Sequence, residues 1–190
     1  MVDVTCAPES ATTKSAPVLF VMVGLPASGK STRAQQIEEE RRALRLTPDE
    51  WMIPLFNDND ANGKRNVLEG RFIWLALRAL RHGIDVVLDF GVWGKDERTA
   101  LRALAAEVGA SCKLVYLEID EDQQRRGRDR RASEEPETTF YITDEDLDEY
   151  RRRFVPPDDA ELSTAVLDPP PAGYTSWSSW ASEWWPTSMQ

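Results

Sequence analysis

The chain has 190 residues, of which 41% are hydrophobic and 29% charged, and this balance is typical of a single folded domain rather than a disordered chain. The formal net charge of −10 argues against a long nucleic-acid groove, because phosphate backbones are bound by basic surfaces. Two cysteines and one histidine are too few for a disulfide framework or a histidine-based metal site, and no apolar run is long enough to span a membrane. Because the N-terminus also lacks a signal-peptide pattern, we expect a cytoplasmic protein.

The N-terminal part of the chain predicts a strand, a glycine-bounded loop and a helix. Residues 1–16 show no periodicity and are expected to form a disordered tail. An apolar strand over about 17–23 follows, and a polar, helix-favouring run covers about 30–42. The loop between them reads Gly24-Leu25-Pro26-Ala27-Ser28-Gly29-Lys30-Ser31 and matches the pattern G-x-x-x-x-G-K-[ST]. A chance match is the alternative, but the flanking strand and helix are the context that this motif requires.

This loop has the chemistry of a nucleotide phosphate site. Its backbone N–H groups and the start of the following helix form a concave anion site, and its glycines allow a phosphate to approach closely. Lys30 can reach the β- and γ-phosphates, and the Ser31 hydroxyl can ligate Mg²⁺. The residues expected to contact the nucleotide are Gly24, Ala27, Ser28, Gly29, Lys30, Ser31 and Thr32.

The rest of the chain alternates strands and helices. Pro48 turns the chain after a short strand, and Asp49 opens a helical turn. The expected strands cover about 43–46, 84–90, 112–118 and 164–167. The expected helices cover about 65–81, 95–108 and 120–131 and a segment that begins after Thr143, with a mobile loop over 132–141. This alternation predicts an α/β fold with a parallel sheet that helices cover on both faces.

Two aspartates follow predicted strands and are candidates for acceptor chemistry. Asp49 comes just after the second strand, where a carboxylate can accept a proton from a substrate hydroxyl, although it also suits a helix N-cap. Asp89 ends the third strand, where a carboxylate can bind Mg²⁺ through water or hold an acceptor hydroxyl. The alternative for Asp89 is a simple turn residue, but a charge that closes a buried strand is costly without a partner.

An arginine cluster over 125–131 is the third candidate. Arg126 and Arg130 are four residues apart and share one helix face, so their guanidinium groups can neutralise charge on a transferred phosphoryl group. The alternative is a solvated basic face that pairs with neighbouring acidic residues. For each arginine the two interpretations have equal weight, and we expect at least one arginine to contact phosphate.

Together these motifs resemble those of the P-loop kinase group, which includes the bacteriophage polynucleotide kinase, gluconate kinase, chloramphenicol phosphotransferase and the zeta toxins. The resemblance covers about residues 17–167, followed by a tail over 168–190. The motifs that carry it are the loop Gly24–Thr32, Pro48-Asp49-Glu50, Val87-Leu88-Asp89-Phe90-Gly91, Asp96-Glu97-Arg98 and the Arg126/Arg130 helix.

The resemblance implies a three-layer P-loop NTPase fold with a parallel five-stranded sheet of adenylate-kinase type, in the order 2-3-1-4-5, and a helical lid over about 125–142. It implies Asp49 as the general base, Asp89 as a carboxylate near the acceptor, and Arg98 and Arg126 as phosphate-side arginines. Many members have Arg-Asn where this chain has Arg130-Arg131, which leaves the role of position 131 open.

Aromatic residues mark two further regions. Trp51, Phe56 and Trp93 lie at the same edge of the predicted sheet, where they either wall an acceptor pocket or pack in the core. The tail contains Trp177, Trp180, Trp184 and Trp185. The first three share one face of a short helix, which we expect to pack on the domain itself; a homodimer contact and a lid over the acceptor are the alternatives.

The leading hypothesis is an ATP-dependent, Mg²⁺-requiring kinase that phosphorylates a hydroxyl of a small molecule such as a sugar, a nucleoside or an antibiotic. Lys30 and the lid arginines act on the phosphates, and Asp49 activates the acceptor. On the substrate side we place Asp49, Asp89, Trp93 and Arg98, and as metal ligands Ser31 and Asp89. The alternatives are a polynucleotide 5′-hydroxyl kinase, against which the acidic charge argues, and a regulatory ATPase without an acceptor.

Overall fold

A parallel sheet of four strands forms the centre of the computed structural model, which describes residues 15–58, 60–134, 142–163 and 167–189. The strands are β1 (Val18–Val23), β2 (Leu44–Leu46), β3 (Val86–Leu88) and β4 (Ser111–Tyr116). Their order is β2-β3-β1-β4, and all three pairings are parallel. Phe20 in the central strand β1 lies opposite Val87 on one side and Lys113 on the other. The expected α/β class with a parallel sheet is therefore confirmed.

The predicted five-stranded order 2-3-1-4-5 is not confirmed, because the described residues contain four strands. The relative order of these four agrees with the prediction. The fifth strand was expected over 164–167, and residues 164–166 lie outside the described residues, while Leu167 is in irregular structure. Most of the tail expected over 1–16 also lies outside the described residues. Of the loop expected over 132–141, residues 135–141 lie outside them, and residues 132–134 belong to the end of a helix instead.

Eight helices connect and flank these strands in the described part of the chain. They are α1 (Lys30–Arg41), α2 (Asp49–Phe56), α3 (Lys64–Arg81), α4 (Lys95–Glu107), α5 (Glu121–Glu134), α6 (Asp144–Arg153), α7 (Asp159–Leu162) and α8 (Trp177–Trp184). Within the same residues, none of the helices is long and apolar enough to cross a membrane. The predicted cap of α6 is present, since the Thr143 hydroxyl accepts a hydrogen bond from the Asp146 N–H at 3.1 Å.

Helices bury both faces of β1. Alternate residues of β1 point to opposite sides, so Leu19 and Val21 join one apolar cluster while Phe20 and Met22 join another. The first cluster contains residues of α3, α4 and α8, and the second contains residues of α1. This burial fixes the carboxyl end of β1, where the glycine-bounded loop begins.

The tryptophan-rich C-terminal region packs on the chain's own domain. Trp177, Trp180 and Trp185 are 6%, 6% and 3% exposed and belong to the same core cluster as α3 and α4. Packing on the domain is the arrangement favoured from the sequence, but Trp185 takes the buried place expected for Trp184. Trp184 is 54% exposed and stacks on Trp180 with 5.2 Å between ring centroids. The homodimer contact through this region stays a prediction.

Candidate active site

The glycine-bounded loop has a backbone that only its glycines allow. Gly24 has a φ of +147°, and a Cβ there would lie 2.6 Å from the Leu117 carbonyl oxygen and 2.9 Å from the Ser28 hydroxyl. Gly29 has a φ of +86° and directly precedes α1, with no atom near the position of its missing Cβ. Ala27 adopts the left-handed region at φ 65°, and the Ser28 hydroxyl is buried without a hydrogen-bond partner among the described residues. The side of Gly29 where a Cβ would stand is therefore open, next to the start of α1, whose first N–H groups have no partners within the helix.

Lys30 lies at the centre of this loop. Its ammonium group donates a hydrogen bond to the Leu25 carbonyl at 2.7 Å. Burial lowers the pKa of Lys30 to about 8, the carboxylates of Asp89 and Asp49 act in the opposite direction, and the Arg131 guanidinium lowers it further. The charges of two predicted carboxylates, Asp89 and Asp49, and of one arginine of α5, Arg131, therefore all act on the loop lysine.

Ser31 and Asp89, the two predicted metal ligands, lie next to each other. Thr32, a predicted nucleotide contact, is exposed on α1. The Ser31 hydroxyl lies 3.4 Å from Asp89 Oδ1, and Asp89 is only 5% exposed. The other oxygen of Asp89 accepts hydrogen bonds from Arg45 at 3.2 Å and from the Thr47 hydroxyl at 3.3 Å. Burial raises the pKa of Asp89, and the Arg45 guanidinium opposes that rise. Asp89 is therefore an oriented carboxylate rather than a free turn residue.

Asp49 belongs to a second charged group on the acceptor side. It is the first residue of α2, and Pro48 takes the N-cap position. Arg65 of α3 donates to Asp49 Oδ1 through Nη1 at 2.8 Å and to Glu69 Oε1 through Nε at 3.0 Å. Burial raises the pKa of Glu69 to about 7, although Arg65 opposes this rise. Arg65 and Glu69 were not among the residues predicted from the sequence. Their i,i+4 spacing is visible there, but the bond from Arg65 to Asp49, sixteen residues away, is not.

Trp93, a predicted substrate-side residue, packs against Tyr150 and Arg153. Its ring centroid is 5.0 Å from that of Tyr150, and the Arg153 guanidinium carbon lies 5.5 Å from the Trp93 centroid. The indole folds over Gly91, where a Cβ would lie 2.4 Å from Trp93 Nε1. That Nε1 is buried and has no hydrogen-bond partner within the described ranges. Burial raises the pKa of Tyr150, and the positive charge of Arg65 opposes this rise.

Arg98 is fully buried in a structural ion pair. Its Nε and Nη2 donate to the two carboxylate oxygens of Glu161 at 2.8 and 3.0 Å. Its Nη1 donates to the backbone carbonyls of Trp93 and Val155 at 3.1 and 2.9 Å. Arg98 is 0% exposed, so this geometry favours a role in folding, and its predicted substrate contact stays a prediction that no contact here supports.

Helix α5 packs on the phosphate loop through one face. The buried Gln124 donates from Nε2 to the Pro26 carbonyl at 3.2 Å, and a Cβ on Gly127 would lie 3.1 Å from the Ala27 Cβ. Arg131, seven residues after Gln124, shares this face. The pKa of Lys30 is lowered mainly by burial, and the positive charge of Arg131 lowers it further.

Arg126 and Arg130 lie on the other face of α5. Arg126 is exposed, and the Arg130 side chain is 75% exposed and 3.8 Å from Glu134. The structure therefore brings Arg131 toward the loop and leaves Arg126 and Arg130 in solvent. Their predicted catalytic roles stay predictions, and the helical face marked by Gln124 and Gly127 is the signal that points to Arg131.

A cavity of about 350 Å³ lies on the α1 side of the sheet, and Phe20, Ile37 and Val115 are among the residues that line it. Its lining includes no residue of the phosphate loop and neither Asp49 nor Asp89. We therefore locate the candidate site by its charged contacts at the carboxyl edge of the sheet, where α/β folds bind ligands.

Comparison with known proteins agrees with this geometry. A family model described as an AAA domain (AAA_33) matches residues 19–157. The chain belongs to this AAA_33 family. A search of curated proteins found no match. The P-loop kinase resemblance drawn from the motifs is thereby confirmed.

Solved structures share the fold at low sequence identity. The chain is similar to a protein of the Pnkp1/Rnl/Hen1 RNA repair complex, with a TM-score of 0.58 and 18% identity over 75% of this chain and 45% of that one. It is also similar to Kti12 of Chaetomium thermophilum in complex with ADP-AlF3, with a TM-score of 0.55 and 16% identity over 89% and 95% of the two chains. A sugar kinase from Janibacter sp. HTCC2649 is similar with a TM-score of 0.55 and 13% identity, over 92% of this chain and 98% of that one. The chain spans less than half of the matched RNA repair protein, and these likenesses show the P-loop fold.

Proposed function

We propose that this P-loop kinase transfers the γ-phosphate of ATP to a hydroxyl group of a small molecule. The observation that carries the proposal is the position of Asp49. Its side chain is 42% exposed, is oriented by Arg65, and acts electrostatically on the phosphate-loop lysine, Lys30. A carboxylate that is both accessible and oriented beside a phosphate site is what a hydroxyl acceptor requires.

The donor half binds the phosphates of ATP. In this proposal the backbone N–H groups of the loop and of the start of α1 bind the phosphates beside Gly29, and Lys30 supplies the cation for the β- and γ-phosphates. The other nucleotide contacts we propose are Gly24, Ala27, Ser28, Ser31 and Thr32. Arg131 adds positive charge from α5, and Arg126 and Arg130 require a movement of this helix before they can reach a phosphate.

The donor set fits Mg²⁺. The Ser31 hydroxyl and the Asp89 carboxylate present two oxygen atoms 3.4 Å apart, and Mg²⁺ takes oxygen ligands from few protein groups together with phosphates and water. Within the described ranges no group of three or more histidine, cysteine or carboxylate side chains forms a metal cluster, which is consistent with a metal shared with a nucleotide. When bound, Mg²⁺ supplies charge neutralisation on the phosphate oxygens.

The acceptor half activates the hydroxyl. The Asp49 carboxylate accepts the proton of the attacking hydroxyl, the new bond forms between that oxygen and the γ-phosphorus, and the bond to the β-phosphate oxygen breaks to release ADP. Arg65 holds Asp49 through the hydrogen bond to its Oδ1. In this proposal Trp93 and Tyr150 present an aromatic surface to the acceptor. We assign Asp89 to the metal rather than to the acceptor, because both of its oxygens already have partners in the protein.

The test is a phosphoryl-transfer screen with mass-spectrometric detection over sugars, nucleosides, antibiotics and a 5′-hydroxyl oligonucleotide. We expect transfer to a small molecule, and Asp49→Asn should lower its rate by about 10²–10⁴-fold while ATP binding changes less than about twofold. Asp96→Asn, which changes an exposed carboxylate in the first turn of α4, is the matched control.

Three outcomes would contradict the proposal. Labelling of the oligonucleotide alone would make the protein a polynucleotide kinase. Transfer to no compound, with ATP turnover that Asp49→Asn leaves unchanged, would indicate a regulatory ATPase. Equal losses in Asp49→Asn and Asp96→Asn would remove the special role of Asp49.

A further inference from the structure

The last segment of the chain lies outside the family match but contacts the helices of the acceptor half. The family match ends at residue 157, and α8 with the residues that follow it covers 177–189. We call residues 177–189 the C-terminal segment. Its buried tryptophans, Trp177, Trp180 and Trp185, anchor it in the core formed by α3 and α4. A segment anchored in this way has a defined position relative to both helices.

One contact of this segment reaches the turn that carries Trp93. The indole Nε1 of Trp184 donates a hydrogen bond to Glu97 Oε1 at 3.1 Å. The other oxygen of Glu97 accepts hydrogen bonds from the backbone N–H groups of Trp93 at 2.9 Å and Gly94 at 2.6 Å. A single carboxylate therefore joins the C-terminal segment to the backbone that positions the Trp93 ring.

A second contact holds the middle of α3. A Cβ on Gly70 would lie 2.0 Å from the Pro186 carbonyl oxygen, so the segment lies directly on the α3 backbone at this residue. The Thr187 hydroxyl donates to the Val67 carbonyl at 3.1 Å, and Arg71 donates to the Thr187 carbonyl at 3.3 Å. Gly70 is next to Glu69, the carboxylate that shares Arg65 with Asp49.

We propose that the C-terminal segment positions the acceptor half of the site, with Trp184 and Glu97 as positioning residues for the turn at Trp93. This inference rests on the proposed function, since it assigns Trp93 and Asp49 to the acceptor. The phosphate loop is held by β1, α1 and Gln124 of α5 instead. Loss of the Trp184–Glu97 bond should therefore weaken acceptor binding and leave ATP binding intact.

A matched pair of variants separates positioning from general stability. Trp184→Phe keeps an aromatic ring on Trp180 but removes the donor to Glu97. Ser178→Ala also removes a hydrogen bond from α8 to a glutamate of α4, that of Ser178 Oγ to Glu107 at 2.7 Å. Glu97 and Glu107 lie at opposite ends of α4, so only the first variant affects the turn at Trp93.

The first measurement is amide hydrogen exchange of residues 92–97, which needs no turnover. Trp184→Phe should accelerate this exchange roughly tenfold, the low end of the effect of one charged hydrogen bond, and Ser178→Ala should change it less than about twofold. The second measurement uses the best acceptor from the transfer screen. Its KM should rise about fivefold in Trp184→Phe, with the Kd of ATP within about twofold of the wild type.

The outcomes are distinct for the two proposals. Equal exchange in both variants, or faster exchange with an unchanged acceptor KM, would overturn the positioning role. If the wild-type protein transfers phosphate to no compound, the proposed function fails. The exchange comparison then still decides whether Trp184 fixes the turn at Trp93.

Discussion

The donor and acceptor halves of the site are built in different ways. In the donor half, Lys30 is held by the carbonyl of Leu25, five residues away in the same loop. In the acceptor half, Asp49 is held by Arg65 from the next helix. Asp89, which we assign to the metal, is likewise held from a distance, by Arg45, 44 residues away. The phosphate loop is thus a local structure, whereas the acceptor half exists only once the sheet and α3 are in place. The choice of acceptor in the proposed reaction therefore depends on tertiary packing.

The two carboxylates illustrate the same contrast. The Asp89 side chain is 1% exposed and bonded through both oxygens, whereas the Asp49 side chain is 42% exposed. A buried, fully bonded carboxylate suits a fixed metal ligand, and an exposed one with a single arginine suits contact with an entering hydroxyl. Burial, rather than residue type, therefore distinguishes the roles of the two aspartates.

The largest effect within the donor half should follow from the removal of Lys30. Lys30→Ala should lower phosphoryl transfer and ATP hydrolysis by about 10²–10³-fold, because the cation that balances charge on the phosphates is lost. The free energy of unfolding should change by less than about 1 kcal/mol, since the Lys30 ammonium bonds only a carbonyl of its own loop among the bonds described. Steady-state kinetics and urea unfolding measure both quantities. Lys113→Ala, at an exposed lysine of β4, is the control.

An unfolding effect in Lys30→Ala as large as its kinetic effect would contradict the local character of the donor half. The loop would then depend on the wider fold in the same way as the acceptor half does.

The acceptor half should respond to pH through Glu69. Burial raises the pKa of Glu69 to about 7 from an unfolded value near 4.5; Arg65 opposes the rise, and Glu97 and Asp49 add to it. Between these pH values the folded state binds the extra proton, so the free energy of unfolding should fall as pH rises from 5 to 8. The Glu69 contribution to this fall is about 2–3 kcal/mol. Urea unfolding of the wild type and Glu69→Gln at both pH values measures it.

The Glu69→Gln variant lacks the titrating group but keeps an oxygen that can accept from Arg65. We therefore expect the difference in unfolding free energy between the two proteins to change with pH. A constant difference from pH 5 to pH 8 would show that Glu69 is not the group that couples the acceptor half to pH.

The sequence predicted what local patterns encode. The strand, loop and helix over 17–42 follow from apolar and glycine spacing, and the structure has them at Val18–Val23 and Lys30–Arg41. It did not reveal Arg65 as the partner of Asp49, because a contact between two helices depends on how they pack on the sheet. Nor did it distinguish a buried structural arginine, Arg98, from a phosphate-side one, since both have the same charge and only burial separates them.

The smallest of these effects should follow from a substitution of Arg131, and it tests whether α5 belongs to the donor half. Spacing alone singled out Arg126 and Arg130, but α5 contacts the phosphate loop through the face of Gln124, which Arg131 shares. Arg131→Ala should therefore lower phosphoryl transfer roughly tenfold, the low end of the effect of one charged hydrogen bond, and raise the KM of ATP. Arg126→Ala and Arg130→Ala are matched controls on the exposed face and should change the rate less than about twofold. If instead either control lost more activity than Arg131→Ala, α5 would have to rotate or close during the reaction, and the donor half would be less local than its loop.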